Sequence, residues 1–282
     1  MIDFKNVTKD YGKNIALDDF SISIAETGIY CLLGRNGAGK TTLMKALAGH
    51  IPVTDGEVSV AERAVTSLAM PQNVHFVESG AAQFNIRLIE LFRYAAEINP
   101  DFDMAFAKEM ARRFRLDNSK KYRRLSFGMK TMVNTLIALA SGKQILLLDE
   151  PVLGFDPIMR KTFYELLSES CAEKPKIVIV STHIIDEIEK TAEKLIIIDR
   201  GRLILFGDMN EIDEKAYSVT GPTEQVMAAT EGLRAIGETR AGGFLSRFIF
   251  DERIQASENV NIANLGLTEF FVGLVGDEGE VV

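Results

Sequence analysis

Cysteine is scarce in this chain: among 282 residues there are only Cys31 and Cys171, and Cys31 lies inside an apolar run. So low a count excludes a disulfide-stapled scaffold and points to a reducing compartment. Long hydrophobic runs are missing as well. No stretch approaches the ~20 apolar residues that cross a bilayer. No basic segment followed by an apolar one opens the chain, so no secretory leader is expected. The chain is therefore expected to be soluble, with any membrane role exercised through a partner. Positive charge is in deficit, with 32 Lys+Arg against 40 Asp+Glu and a net charge of −8. A dedicated nucleic-acid surface needs the opposite balance, so no nucleic-acid partner is expected. Internal repeats, low-complexity tracts and heptad arrays are also lacking.

What is present is an ordinary globular composition, 46% hydrophobic and 26% charged. A chain of this length buries roughly three quarters of its unfolded surface and needs no covalent or metal staple. Short aliphatic runs at 29–33, 145–148, 177–180, 195–198 and 203–206 have strand length and are rich in Ile, Val and Leu. Such runs predict strands buried on both faces. Residues 22–24 alternate with Ser as a strand does. Residues 73–130 have helical texture: Leu88, Leu91, Phe92 and Ala95 recur at helical spacing, as do Phe106, Met110 and Phe114, with Pro100 between them. Residues 157–169 form a further helical candidate. After Gly207 the texture changes to alternation at 216–220, a helix start at Gly221-Pro222, a strand at 244–250 and a short helix at 267–275. The expected organisation is a larger α/β domain over 1–210 with a helical insert at about 73–130, then a small α+β appendage over 211–282 with a frayed end at 276–282.

Gly34-Arg35-Asn36-Gly37-Ala38-Gly39-Lys40-Thr41 matches G-x-x-x-x-G-K-[ST] at every fixed position. It follows the apolar run 29–33 and precedes a predicted helix at 42–48, opened by Thr42. That strand–loop–helix context is what the motif requires. Glycines let the backbone wrap a polyphosphate with its N–H groups turned inward, and the helix N-terminus adds partial positive charge. Lys40 is expected to reach the β/γ-phosphates and Thr41 to ligate Mg²⁺. The strand at 145–148 delivers Asp149 to its carboxyl end, where it can hold Mg²⁺. Glu150, one residue on, is placed to polarise a water against the γ-phosphate. A nucleoside triphosphate and Mg²⁺ are the implied substrate and cofactor, since these two motifs occur in ATPases and GTPases alike; the resemblance that follows implies ATP.

The residues between and beyond these motifs narrow the class. Leu125-Ser126-Phe127-Gly128-Met129 resembles the LSGGQ signature of ATP-binding-cassette (ABC) proteins. Met70-Pro71-Gln72 resembles the Q-loop of that family, Gly154-Phe155-Asp156 its D-loop, and Ser181-Thr182-His183 its switch-histidine loop. Tyr11 stands where the family carries an adenine-stacking aromatic. The resemblance spans roughly residues 1–210. It implies that Gln72 touches Mg²⁺ or the attacking water, and that His183 contacts the γ-phosphate and orders the water activated by Glu150. It implies further that Ser126 and Gly128 face the nucleotide held by a second ATPase subunit. The implied architecture is a P-loop ABC-type ATPase domain working as a head-to-tail homodimer or as a heterodimer with a paralogue. Two departures stand in the signature: Phe127 replaces a Gly and Met129 a Gln, which puts in doubt any ribose contact from position 129. His50 and His75 match no motif.

The implied function is that of the ATPase subunit of an ABC transporter, peripheral on the cytoplasmic face and bound to an integral membrane permease. The signature variant and the short C-terminal region favour export of a peptide, antibiotic or amphiphile. A non-transport ABC ATPase acting on nucleic acid or ribosomes is the alternative. The single P-loop, the missing coiled coil and the acidic balance disfavour it. A GTPase would need a guanine-reading Asn-Lys-x-Asp motif, which the sequence lacks.

Overall fold

The structure is a computed structural model and describes residues 1–78, 84–254 and 260–276. The chain opens with β1 (Ile2–Asp10), β2 (Ile15–Ile24) and β3 (Gly28–Leu33), then α1 (Lys40–Leu47), β4 (Asp55–Val60), β5 (Arg63–Ala64) and β6 (Val74–Val77). A helical stretch follows: α2 (Leu88–Ile98), α3 (Met104–Arg113), a 3-10 turn (Tyr122–Arg124) and α4 (Phe127–Ala140). Then come β7 (Ile145–Asp149), α5 (Pro157–Glu173), β8 (Ile177–Ser181), α6 (Ile185–Ile188), β9 (Lys194–Asp199) and β10 (Arg202–Asp208). The remainder is α7 (Met209–Lys215), β11 (Ala216–Pro222), α8 (Thr223–Ala229), β12 (Ala235–Ala241), β13 (Phe244–Phe250), β14 (Asn261–Asn264) and α9 (Leu267–Val275).

Three sheets result. The central one has the order β10-β9-β3-β8-β7-β6. Its members run parallel except β10, which pairs antiparallel with β9. An antiparallel sheet β2-β1-β4-β5 lies on one side of it, and an antiparallel sheet β12-β13-β11-β14 closes the chain.

The near-continuous aliphatic runs are explained by two-sided burial. In β3, Ile29, Cys31 and Leu33 enter one core while Tyr30 and Leu32 enter the other. Along β7, β8 and β9 the same split recurs: Leu146, Val178 and Ile197 face the helices, and Leu147, Ile179 and Ile196 face the antiparallel sheet and α1. Each such side chain contributes about 1.5–3 kcal/mol on burial. A strand wet on one face would have alternated with polar residues.

Three expectations are corrected. Residues 203–206 are not buried on both faces: β10 is the end strand of the sheet, and Ile204 and Phe206 are exposed. The stretch at 73–130 is not helical at its start, because Val74–Val77 is a strand in register with β7, Val74 opposite Ile145 and Val77 opposite Leu148. Its final helix, α4, runs ten residues past that stretch to Ala140. In the C-terminal region, Pro222 stands at the N-cap of α8 and not inside the helix. Phe244–Phe250 is a strand and Leu267–Val275 a helix. Of the segment expected to fray, 276–282, residues 277–282 lie outside the described residues.

The C-terminal sheet has a small core of its own around Tyr217, Val219, Leu245 and Ile249. However, Leu265, Leu267, Phe270 and Val275 join the same core as Val180, Ile188 and Ile197 of the central sheet and its helices. Residue 210, where the two parts were expected to divide, lies inside α7.

Candidate active site

The parallel strands β3, β8 and β7 are neighbours and end together, so the segments leaving their carboxyl ends converge, as ligand sites in open α/β sheets do. From β3 springs the loop 34–39. Gly39 is the N-cap of α1 with φ 108°, and a Cβ there would collide with the Ala16 carbonyl. Only glycine fits that position. Because the cap residue offers no side-chain acceptor, the first-turn N–H groups of α1 remain free for an anion.

Lys40 is buried, 9% exposed, and its Nζ donates to the Gly34 carbonyl at 2.6 Å and the Arg35 carbonyl at 3.3 Å. Burial draws its ammonium below the ordinary lysine value, against the opposing pull of Glu150 and Asp149. Asp149, 4% exposed, accepts the Thr41 hydroxyl on Oδ2 at 2.8 Å and the Ser181 hydroxyl on Oδ1 at 2.5 Å. This carboxylate is therefore fixed by one group from the P-loop helix and one from the end of β8.

Glu150 has φ 51°, a left-handed conformation that a non-glycine residue adopts at a cost of about 1–3 kcal/mol. Two bonds offset that cost: its N–H donates to the Ser181 carbonyl and to the Ser181 hydroxyl, each at 3.1 Å. The strained backbone turns the Glu150 side chain so that Oε2 lies 2.8 Å from His183 Nδ1. His183 itself is exposed, held on its N-terminal side by the fully buried Ser181 and Thr182.

Tyr11, Asn36, Gly37, Ala38, Gly39, Lys40, Thr41, Thr42, Asp149 and Glu150 line one cleft of about 330 Å³, together with Asn14 and Ala16. Tyr11 is 54% exposed at its rim, with Lys9 Nζ 4.9 Å from the ring centroid. Asn14, whose carbonyl accepts the Tyr11 N–H at 3.0 Å, is a lining residue that the sequence motifs did not single out.

Ser126 and Gly128 stand apart from this cleft at the start of α4, where Ser126 Oγ caps the helix by accepting the Met129 N–H at 3.2 Å. Gly128 packs so closely on Gly154 that a Cβ would strike the Gly154 carbonyl. Phe127 is 44% exposed beside it.

Gln72 is the one expected site residue in the wrong place. It precedes β6 and so lies at the amino end of that strand, whereas Asp149 ends the neighbouring parallel β7. At ~3.3 Å per residue the two are separated by most of the depth of the sheet. The Gln72 amide lies on its own loop, 3.5 Å from the Met70 carbonyl. It can neither ligate a metal held by Asp149 nor touch a water near Glu150. The segment leaving the carboxyl end of β6 begins at Glu78, which pairs with Lys45 of α1, and then enters residues 79–83, outside the described residues.

The donors at Thr41 and Asp149 suit a hard cation. Among the described residues no group of three or more His, Cys, Asp or Glu side chains could hold a metal by itself. One hydroxyl and one carboxylate fit Mg²⁺, which keeps waters and takes phosphate oxygens for the rest of its shell.

A phosphate-binding loop at the end of β3, with an acidic pair at the end of β7, defines a P-loop nucleotide-binding ATPase. Comparison with known proteins narrows the class. The ABC transporter family model matches residues 17–153. The chain is 27% identical over 227 residues to the ABC transporter ATP-binding protein YtrB of Bacillus subtilis (strain 168), covering 78% of this chain and 76% of that one. It is 33% identical over 215 residues to the Nod factor export ATP-binding protein I of Burkholderia orbicola (strain AU 1054), covering 73% and 70%. Among solved structures, the ATP-binding subunit of an ABC transporter superposes with a TM-score of 0.67 at 24% identity, over 75% of this chain and 91% of that one. A dimeric ATP-binding cassette in a post-hydrolysis state with ADP and Pi gives 0.64 at 22% identity, over 74% and 99%. The chain belongs to the ABC transporter ATP-binding family.

Proposed function

We propose that this chain is the ATP-hydrolysing subunit that powers an ABC transporter through a nucleotide-sandwich dimer, coupled to a separate membrane-spanning permease. The observation that carries the reading is the Glu150–His183 pair, assembled beside Asp149, Thr41 and Lys40 at the convergent strand ends.

In this reading the face of Tyr11 receives the adenine. The N–H groups of 36–42 and the Lys40 ammonium receive the phosphates, the lysine exchanging its loop carbonyls for phosphate oxygens. Thr41 and Asp149 would hold Mg²⁺, which supplies charge neutralisation on the β/γ-phosphates when bound. Glu150 orients and deprotonates the attacking water. His183 holds Glu150 and the γ-phosphate side of the site in register. Ser126 and the N-terminus of α4, a helix of 14 residues, offer donors to the nucleotide of the second protomer across a two-fold axis. Gln72 has no part in it.

Among the described residues no helix is long and apolar enough to cross a membrane, so the transport path is assigned to a partner. That partner would hold the chain at the cytoplasmic face. Relatives named for Nod factor export, at 33% identity, support export as the direction. ATP-driven closure and hydrolysis-driven opening then move the permease between access states, the triphosphate binding the closed dimer more tightly than the open one.

The experiment is phosphate release by the purified chain with Mg²⁺ and ATP. Wild type turns over, and Glu150→Gln falls by about 100-fold or more while still binding ATP. Undiminished turnover in Glu150→Gln removes Glu150 from this role.

A further inference from the structure

His183 is strung between two supports. On one side is the end of β8, where Ser181 and Thr182 are buried and Thr182 Oγ1 accepts the Ile184 N–H at 3.0 Å. On the other is α6, which begins at Ile185. A helix of four residues cannot hold its own position, since even isolated helices of about 12 residues are marginal in water. The placement of α6 must come from what grips it.

The grip is made by acidic side chains on and just after α6. Glu187 Oε1 lies 3.5 Å from Arg160 Nη1, and Arg160 Nε donates to the Phe155 carbonyl at 3.1 Å. Asp186 Oδ1 accepts the Thr268 hydroxyl at 2.9 Å, and Glu189 Oε1 accepts the Leu267 N–H at 3.0 Å. The last two partners belong to α9. Its N-cap is Gly266, which has no side chain to satisfy the first-turn donors. Glu189 supplies that missing cap from a different element, with its negative charge at the positive end of the helix dipole. From the other side α9 is anchored by Phe270, 1% exposed, whose ring meets Phe250 of β13 edge to face at 4.9 Å between centroids. Leu267 and Ile188 share one apolar core beneath the polar contacts.

We propose that α9 is the positioning element of His183: Thr268 and the Leu267 N–H clamp α6, and α6 sets the imidazole against Glu150. Thr268, Glu189 and Asp186 are thereby positioning residues that touch neither nucleotide nor water. The C-terminal sheet, through Phe250 and Phe270, becomes a handle on the catalytic site. A load applied to that sheet alters turnover without altering the ATP pocket. The proposal rests on the assignment of His183 and Glu150 under Proposed function.

The test uses the full chain. Thr268 is exposed and Glu189 half-buried, so Thr268→Val with Glu189→Ala removes the clamp without opening the core. The loss of two charge-assisted bonds at a partly solvated site lowers kcat by about tenfold, with KM and nucleotide affinity held within about twofold. Thr268→Ser with Glu189 intact keeps both bonds and holds kcat at the wild-type level. In a His183→Ala background the clamp variant has no further effect, a non-additivity that a merely structural role does not produce. Hydrogen exchange of residues 182–189 in nucleotide-free protein provides a readout independent of turnover. Exchange is faster there in the clamp variant and unchanged at 34–41. Unchanged exchange at 182–189 overturns the clamp. Faster exchange with wild-type kcat overturns its positioning role. Lack of turnover in wild type itself overturns the proposed function, and the exchange result then still decides the clamp.

Discussion

His183 Nδ1 lies 2.8 Å from Glu150 Oε2, although the two side chains come from the ends of different strands and are 33 residues apart in sequence. The contact exists because Ser181 ties the two strand ends together, accepting the Glu150 N–H and bonding Asp149. A His183→Ala variant is predicted to lose about 100-fold or more in kcat, the scale on which a positioned acid–base partner acts. ATP affinity should stay within a few-fold, since Lys40 and the 36–42 loop are untouched. Phosphate release and nucleotide binding, measured on the same preparation, check the split.

Thr41 and Asp149 are predicted to set the metal dependence. Chelation of Mg²⁺ should abolish turnover, and Thr41→Ala should raise the Mg²⁺ concentration needed for half-maximal rate by about tenfold, the loss of one hard oxygen donor and one hydrogen bond to a carboxylate. A Mg²⁺ titration of the rate measures it. An unchanged Mg²⁺ requirement in Thr41→Ala would contradict the assignment.

Gln72→Ala is predicted to be silent. The residue lies at the amino end of β6, away from the cleft. Turnover, KM and Mg²⁺ requirement should remain within about twofold of wild type, the range of surface substitutions far from a site. A large loss of kcat would restore Gln72 to the site and contradict the strand register.

Burial, aided by Lys143, pushes the His75 imidazole down to about 4. In the unfolded chain histidine titrates near 6.5. Between those values the unfolded chain binds a proton that the folded chain refuses, so stability falls as pH falls through this window. By pH 5 the loss amounts to about 2 kcal/mol, and above pH 6.5 it vanishes. Denaturant unfolding at pH 7.5 and pH 5 should show this difference in wild type and a flattened one in His75→Gln.

Much of the site was legible because its parts are contiguous. The loop 34–41 announces itself since its fixed residue types fall within eight positions: Gly39 is forced by the Ala16 carbonyl, and Lys40 and Thr41 follow it at the start of α1, where the proposed function gives them the phosphates and Mg²⁺. Asp149 and Glu150 follow from a strand that is apolar on both faces. The expectation for Gln72 rests on the likeness of Met70-Pro71-Gln72 to a family motif, and a three-residue likeness does not say which flanking stretch, 68–70 or 74–77, pairs with β7. The wet faces of β10 were hidden for a related reason, since an end strand with aliphatic residues reads like a buried one. The strands β12 and β14 carry too many polar residues to register as strands at all. Nothing local could reveal that Glu189 caps a helix 78 residues downstream, because that bond is a product of tertiary packing alone.

The account turns on nucleotide holding two copies of this chain together, and the most direct measurement is the mass in solution of the Glu150→Gln protein by sedimentation, with and without Mg²⁺-ATP. A shift from monomer to dimer on adding ATP, abolished by Ser126→Arg at the start of α4, is predicted. A Glu150→Gln protein that binds ATP yet sediments as a monomer at every concentration would contradict it.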